Sequence, residues 1–457
     1  MNIYLHVESS IRELDSKLLL ATIAASKGHQ ILVSNLSGII RGIRNGFLSP
    51  GIFHTKSITP GERKIKLHDK IIQKDFIITS IDEEGGLVDY GYEKFANIRY
   101  SKKTIDQTSA IFCWGRDDFY VLNKLYPECK SKFFLTGSPR SDLWKPSFSK
   151  YWDFPKKKPQ RPYLLISSNM GIANNKISFE KFKKQHELSG YYKRDPEMLD
   201  WHKGLLKEEK QLINSYVEAI KYLASKNSFF DIVLRPHPVE KIQTWKMLLK
   251  NIPNVHVIQE GPISTWVNHS FAVMQNGCTT SFEATISEKP VISFLPFKQK
   301  FSRELANDLG HIVKTNNELD EKINFFYNQM IKGKKNIMYP EIEERIFKKI
   351  YFDKDELACE KIINIWEIIS KNNLNQNNNW MNFENYLKLM KKRDSIVTFV
   401  KKLFNKNITD LDGNLKFPPL NKPLVEKKIN NFKQILGIKS EIRCKFLTDK
   451  ALFISKL

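Results

Sequence analysis

The sequence predicts an α/β protein of two successive parallel-sheet domains followed by a helical C-terminal extension. Three observations carry this. Short β-branched and aromatic runs alternate with longer helical patterns, the rhythm of strands separated by crossover helices. The rhythm halts at a proline- and lysine-rich stretch and then restarts. Beyond about Tyr351 the pattern turns helical, and the final stretch is the least readable.

In the first third the strand-like runs are "IYLHV", "QILVS", "FIITSI", "AIFCW" and "KFFLTG". Between the first two, Leu14, Leu18, Ala21 and Ala25 fall at helical spacing, and Gly28 supplies a stop. "FPKKKPQRP" reads as a linker, and "YLLISS", "FDIVLRP", "VHVIQ", "FAVMQ" and "PVISFLP" then repeat the pattern. The expected boundaries are 1–154 for the first domain, 155–162 for the linker, 163–350 for the second and 351–457 for the extension. Two Rossmann-like domains facing across a cleft are expected, with ligands beyond the carboxyl ends of the strands. In the extension, "KNNLNQNNN" is a low-complexity polar loop. Leu387, Met390, Val397, Val400 and Phe404 mark a basic amphipathic helix. It suits an anionic membrane surface or, more plainly, packs on the body of the protein.

The 457 residues, 41% hydrophobic and 12% aromatic, suffice for two or three domains and exclude global disorder. No apolar run approaches the roughly 20 residues that span a bilayer. "MNIYLHVESS" lacks the basic flank and apolar stretch of a signal peptide. Cys113, Cys129, Cys278, Cys359 and Cys444 are scattered and never form C-x-x-C, which favours reduced thiols over a disulfide framework or a zinc site. A cytoplasmic protein is expected, or one peripheral at the inner face of the cytoplasmic membrane. The net charge of +23, from 73 Lys+Arg against 50 Asp+Glu, is spread along the chain without an arginine-rich aromatic stripe. A general bias toward Lys, Asn and Ile together with loose attraction to anionic lipid fits this better than nucleic acid does.

Several motifs fall at predicted strand ends. In "LRPHPVE", two prolines fix the direction of His237, and Arg235 adds a second anion-binding donor. The alternative is a rigid strand exit carrying a surface histidine. In "MQNGCTTSFEA", Gly277 ends a strand, and Thr279, Thr280 and Ser281 open a helix whose free amides suit a phosphate. Thr280 and Glu283 also have the spacing of a capping box. In "FLTGSPRSDLW", Arg140 could grip an anion bidentately or pair locally with Asp142. "SSNMGIANN" offers Asn169, Asn174 and Asn175 as amide partners or as turn formers. Glu8, Arg12, Glu13 and Asp15 crowd the exit of the first strand, where acids also favour the helix dipole. No G-x-G-x-x-G, Walker loop or H-E-x-x-H occurs, and "DLDG" at Asp410 and Asp412 lacks strand context. Nothing in the sequence requires a metal or a cofactor.

The set "RELDSKLLLATIAASKGH", "IDEEGG", "CWG", "TGSPRSD", "LISSNMGIANN" and "RPHP" resembles, in this order, the bacterial surface carbohydrate biosynthesis protein family. That group looks like a GT-B glycosyltransferase. "RPHP" with "GCTTSFEA…KPVISF" is similar to capsule and lipopolysaccharide transferases of the β-Kdo type, which use CMP-activated ulosonic acids. The resemblance spans roughly the first 300 residues. It implies a metal-independent, retaining transfer of a nucleotide-activated sugar to a glycan or lipid-linked acceptor. It places the nucleotide in the second half, with His237, Thr279, Thr280 and Ser281 near its phosphate. Asn169, Arg235, Gly277 and Glu283 there and Arg140 from the first domain are further expected to bind the nucleotide sugar, and Glu8, Arg12 and Glu13 to lie on the acceptor side. Where the β-Kdo enzymes carry an aspartate after the first strand of the nucleotide half, this chain has "SSNMGIANN".

Asp82, Glu83 and Glu84 then acquire a purpose. A carboxylate facing an oxocarbenium-like transition state stabilises it or bonds to it, and a second serves as base. Glu83 or Glu84 is expected as nucleophile or base, Asp142 as reserve, and His237 and Arg235 at the leaving phosphate. Two other readings share these features: a UDP-GlcNAc 2-epimerase-like enzyme, and a non-catalytic membrane-associated glycan- or lipid-binding protein.

Overall fold

The computed structural model describes residues 1–87, 91–154, 159–301, 304–334, 340–370, 378–403 and 416–457. Half of the expected linker, most of the asparagine-rich stretch, Phe404, Asp410 and Asp412 lie outside these residues, as do the side chains of Val397 and Val400. The chain forms two compact units, one of Met1–Leu143 with Phe347–Leu457 and one of Trp144–Ile346.

The first unit contains β1 (Asn2–His6), β2 (Gln30–Ser34), β3 (Ile52–Thr55), β4 (Ile77–Ile81), β5 (Ala110–Cys113) and β6 (Phe133–Leu135). They lie in the order β2-β1-β3-β4-β5-β6, all parallel, with Ile3 opposite both Ile31 and Ile52. Their residues are buried on both faces because crossover helices cover the sheet. The chain steps from β1 to one side and resumes on the other at β3, so the topological switch lies between those strands. A π-helical turn, Ser10–Leu14, leads from β1 into the helix Asp15–Ser26, which buries Leu18 to Ala25 and ends at Gly28 with φ +88°.

The second unit contains β7 (Tyr163–Ser167), β8 (Asp231–Arg235), β9 (Val255–Val257), β10 (Ala272–Gln275), β11 (Val291–Phe294) and β12 (His311–Val313). Its parallel order, β9-β8-β7-β10-β11-β12, is the Rossmann order 3-2-1-4-5-6, with the switch between β7 and β10. Alternation along β7 divides the core. Leu164 and Ile166 pack with Tyr216, Trp245 and Met274 on one face, and Tyr163 and Leu165 with Trp266 and Val273 on the other. The chain therefore has the two Rossmann-like units of the GT-B class.

The C-terminal part differs from the expected helical extension. After the helices Ala358–Ile369, Trp380–Leu403 and Lys422–Ile435 the chain ends in a hairpin, β13 (Ile442–Thr448) and β14 (Ala451–Lys456). β14 pairs antiparallel with β2 and carries the first sheet to eight strands. The physical reason is the apolar run "ALFIS", which is buried once it covers the open edge at β2. The helix Trp380–Leu403 buries Phe383 and Leu387 against the first unit's core, the packed alternative, while Met390 is half-buried. Among the described residues no helix is long and apolar enough to cross a membrane.

Candidate functional site

The three acids after β4 each meet a different environment. Asp82 is buried and accepts two hydrogen bonds from Arg99, at 2.8 Å from Nε and 2.9 Å from Nη2. Glu83 turns inward, its Oε1 2.8 Å from Lys17 Nζ, with the side chains 3% and 0% exposed. Glu84 remains 43% exposed, 3.1 Å from Arg99 and 3.9 Å from Arg12. The Glu83 amide donates to the Lys56 carbonyl at 3.0 Å, which fixes the turn against β3. Gly86 has φ +79°, and a Cβ there would lie 2.8 Å from the Trp114 indole, so glycine lets the turn fold over that ring.

Acids and bases from β1 and β3 join this turn at the switch. Glu13 lies on the π-helical turn, a backbone irregularity that recurs at functional sites. It is fully buried, and Oε2 accepts from the Glu8 amide at 2.8 Å. Its Oε1 has no hydrogen-bond partner among the described residues, and neither has the buried Oε2 of Glu83. Burial, and then the charge of Glu83, raise the Glu13 pKa, so this carboxyl keeps its proton to higher pH than a solvated one. His6 lies 3.3 Å from Thr55 Oγ1, and burial followed by Lys56 lowers its pKa to about 3. The imidazole is neutral at physiological pH. Glu8 pairs with Lys56 and, at 2.7 Å, with Lys416. Burial opposes ionisation of Glu8, but these two ammonium groups outweigh it and hold the pKa at about 2. The first unit thus holds a carboxyl whose pKa is raised by burial and a lysine-paired carboxylate beside the same strand ends, two carboxyls with opposed environments.

One expected participant stands elsewhere. Asp142 is buried, and its oxygens accept from the Ala358 amide at 3.0 Å and the Cys359 amide at 2.9 Å. The expectation of a reserve catalytic acid is corrected: it caps the helix Ala358–Ile369, whose first amides have no partner within the helix. Asp142→Ala should therefore reduce stability by about 1–3 kcal/mol in chemical denaturation and change turnover little well below the transition. Arg140 donates to the Glu83 carbonyl at 3.4 Å and lies 5.4 Å from the Trp114 ring.

In the second unit the predicted residues gather at the carboxyl ends of β7, β8 and β10. Asn169 Nδ2 donates to the Gly277 carbonyl at 2.9 Å and bridges the switch point. Gly277, at φ +59°, donates its amide to Asn307 Oδ1 at 2.7 Å, and the Cys278 amide donates to Gln275 Oε1 at 2.8 Å. Much of the expected amide cradle is therefore engaged internally. Ser167 Oγ lies 3.3 Å from Thr280 Oγ1, and Ser281 Oγ is buried without a hydrogen bond among the described residues. The capping box does not form. The helix Thr280–Ile286 starts after Thr279, which makes no side-chain cap, and Glu283 is buried. Arg235 departs from the expected phosphate grip. It donates to the carbonyls of Glu260 and, at 2.8 Å, Gly261, and lies 5.4 Å from the Trp266 ring. Burial lowers its pKa to about 10. His237 is exposed, with its backbone amide 3.0 Å from Glu240 Oε1. Asn174 and Asn175 bind protein atoms, Asn174 donating to Glu240 and Lys241 and Asn175 to Gly171.

Sequence reasoning missed Lys17, His6, Lys56 and Glu240. Lys17 stands in an otherwise apolar helical stretch, where a single lysine reads as solvated; its near-complete burial is what distinguishes it.

No family model and no curated protein matches the chain. Among solved structures it is similar to a UDP-GlcNAc 2-epimerase from Methanocaldococcus jannaschii, with 12% identity over 80% of this chain and 100% of that one and a TM-score of 0.48. It is also similar to the UDP-GlcNAc 2-epimerase of Neisseria meningitidis bound to UDP-GlcNAc, with 14% identity over 81% and 100% and a TM-score of 0.47. The Anabaena HepE protein in complex with UDP gives 8% identity over 81% and 99% and a TM-score of 0.39.

Proposed function

We propose that this protein is a nucleotide-sugar enzyme of the glycosyltransferase type, with acid–base chemistry on the first unit and the nucleotide held by the second. One observation carries the reading: at the β1/β3 switch, Glu13 and Glu83 are both buried, each with an oxygen that accepts no hydrogen bond among the described residues. A buried carboxyl oxygen left unbonded is unfavourable unless something fills its place, and a substrate hydroxyl or ring oxygen fits that need. Glu83, charged beside Lys17, stabilises positive charge developing at an anomeric carbon. Glu13 exchanges a proton with the leaving or attacking oxygen.

A CMP-linked ulosonic acid is the donor favoured by the order of motifs and by one cation. Lys64 donates to the Ser57 carbonyl at 3.1 Å and Ser57 Oγ at 3.2 Å and meets no carboxylate at ion-pair distance among the described residues. It is suited to the carboxylate that such a sugar carries next to its anomeric carbon. Burial, and then Lys56 and Arg99, lower its pKa, which an arriving anion would reverse.

The test is a thermal-shift series with CMP, UDP, GDP and CDP, in which the cognate nucleotide stabilises by about 2.7 kcal/mol at 100 times its Kd. NMR of CMP-linked ulosonic acids and UDP-GlcNAc, each with and without glycan acceptors, then follows the sugar. Transfer only in the presence of an acceptor supports the proposal. Interconversion of UDP-GlcNAc without one transfers the same acid pair to 2-epimerisation, where a proton is removed and returned. No stabilisation by any nucleotide would overturn the reading.

A further inference from the structure

Glu240 follows "RPHPV" by one residue and is completely buried. It takes part in no ion pair among the described residues; hydrogen-bond donors alone surround its charge. Oε1 accepts from Ser168 Oγ at 2.8 Å, the Met170 amide at 3.2 Å and the His237 amide at 3.0 Å. Oε2 accepts from Trp245 Nε1 at 2.8 Å and Asn174 Nδ2 at 3.3 Å. Three of the five donors belong to the loop after β7, and one is the backbone of the loop after β8. The two loops are further joined by Lys241 N to the Asn174 carbonyl at 2.8 Å and Lys176 N to the Val239 carbonyl at 3.0 Å. Burying a carboxylate without a cation is expensive, and bonds to a charged acceptor are correspondingly strong. The arrangement fixes Asn169, which bridges to Gly277, and the backbone that carries His237.

We infer that Glu240 is a positioning residue for the second unit's ligand site, locking the loops after β7 and β8 so that Asn169 and His237 meet a nucleotide-borne anion without prior rearrangement. The inference rests on the reading of that unit as the nucleotide holder. A ligand binding to loops already fixed avoids the ordering entropy that mobile loops would lose.

The experiment compares wild type with Glu240→Gln, which keeps the volume but turns an amide donor toward groups that are themselves donors. Hydrogen–deuterium exchange at the Met170 and His237 amides should rise by about tenfold or more, the loss expected for a bond to a charged group. The Kd for the cognate nucleotide should weaken by a comparable factor at a temperature where both proteins are fully folded. Glu240→Asp, which keeps the charge but draws it back by one methylene, replaces the glutamine variant if that does not fold. Unchanged exchange overturns the inference, as does faster exchange with unchanged nucleotide affinity, which confines Glu240 to stability. Failure of the underlying reading is seen separately, in a wild-type protein that binds none of the nucleotides.

Discussion

Lys17→Met is expected to lower the unfolding free energy by about 3–5 kcal/mol, because it strips the buried Glu83 carboxyl of its cation. The pair is 2.8 Å apart, and neither side chain has appreciable access to water. Methionine fills the volume of the lysine stem, so little of the loss comes from a cavity. Turnover should fall below detection, since an unpaired buried carboxylate takes up a proton and no longer meets positive charge. Lys17→Met combined with Glu83→Gln should regain most of the stability and none of the turnover. Denaturation curves beside an activity assay settle both points. A single-variant loss under about 1 kcal/mol would mean that the pair behaves as an exposed one, and the electrostatic role of Glu83 would go with it.

Glu13→Gln should reduce turnover by about 100-fold or more, the range for loss of a general acid–base group, while the fold persists. The stability comparison has a definite sign. The folded pKa of Glu13 is raised above its ordinary value of 4.5. Its favourable contribution is therefore fully present below that value and is lost as pH rises through the folded pKa. Glutamine has no proton to lose. The variant should thus gain on wild type as pH rises above 4.5, and the alkaline or acid limb of the rate profile set by this group should vanish. A stability difference that does not change with pH, or wild-type turnover at every pH, would remove Glu13 from the mechanism.

Most strands of the two sheets were legible because each is a short apolar run bounded by turn residues, and because the rhythm restarts after "FPKKKPQRP"; β3 and β12, short and each carrying a histidine, His54 and His311, were missed. The terminal hairpin was not. In "IRCKFLTDKALFISK" the basic residues mask the strands, and only pairing with β2 gives the run a buried face. Glu83 could be found because three acids at a strand end are unusual. Which of the three meets a buried cation could not, because that depends on Lys17 arriving from a helix far away in sequence. Asp142 illustrates the converse. Its surroundings looked catalytic, yet its partners are amides of a helix that begins at Ala358. Thr280 and Glu283 have capping spacing, but the helix takes Thr279 as its preceding residue, so the reciprocal bonds cannot form.

The pairing of β14 with β2 has a consequence for biosynthesis. Residues 451–456 leave the ribosome long after residues 30–34, so the growing polypeptide carries an unzipped seam through most of translation. The contiguous segment Trp144–Ile346 has the six strands seen among its described residues as soon as it is made, and it can mature while its neighbour waits for β14.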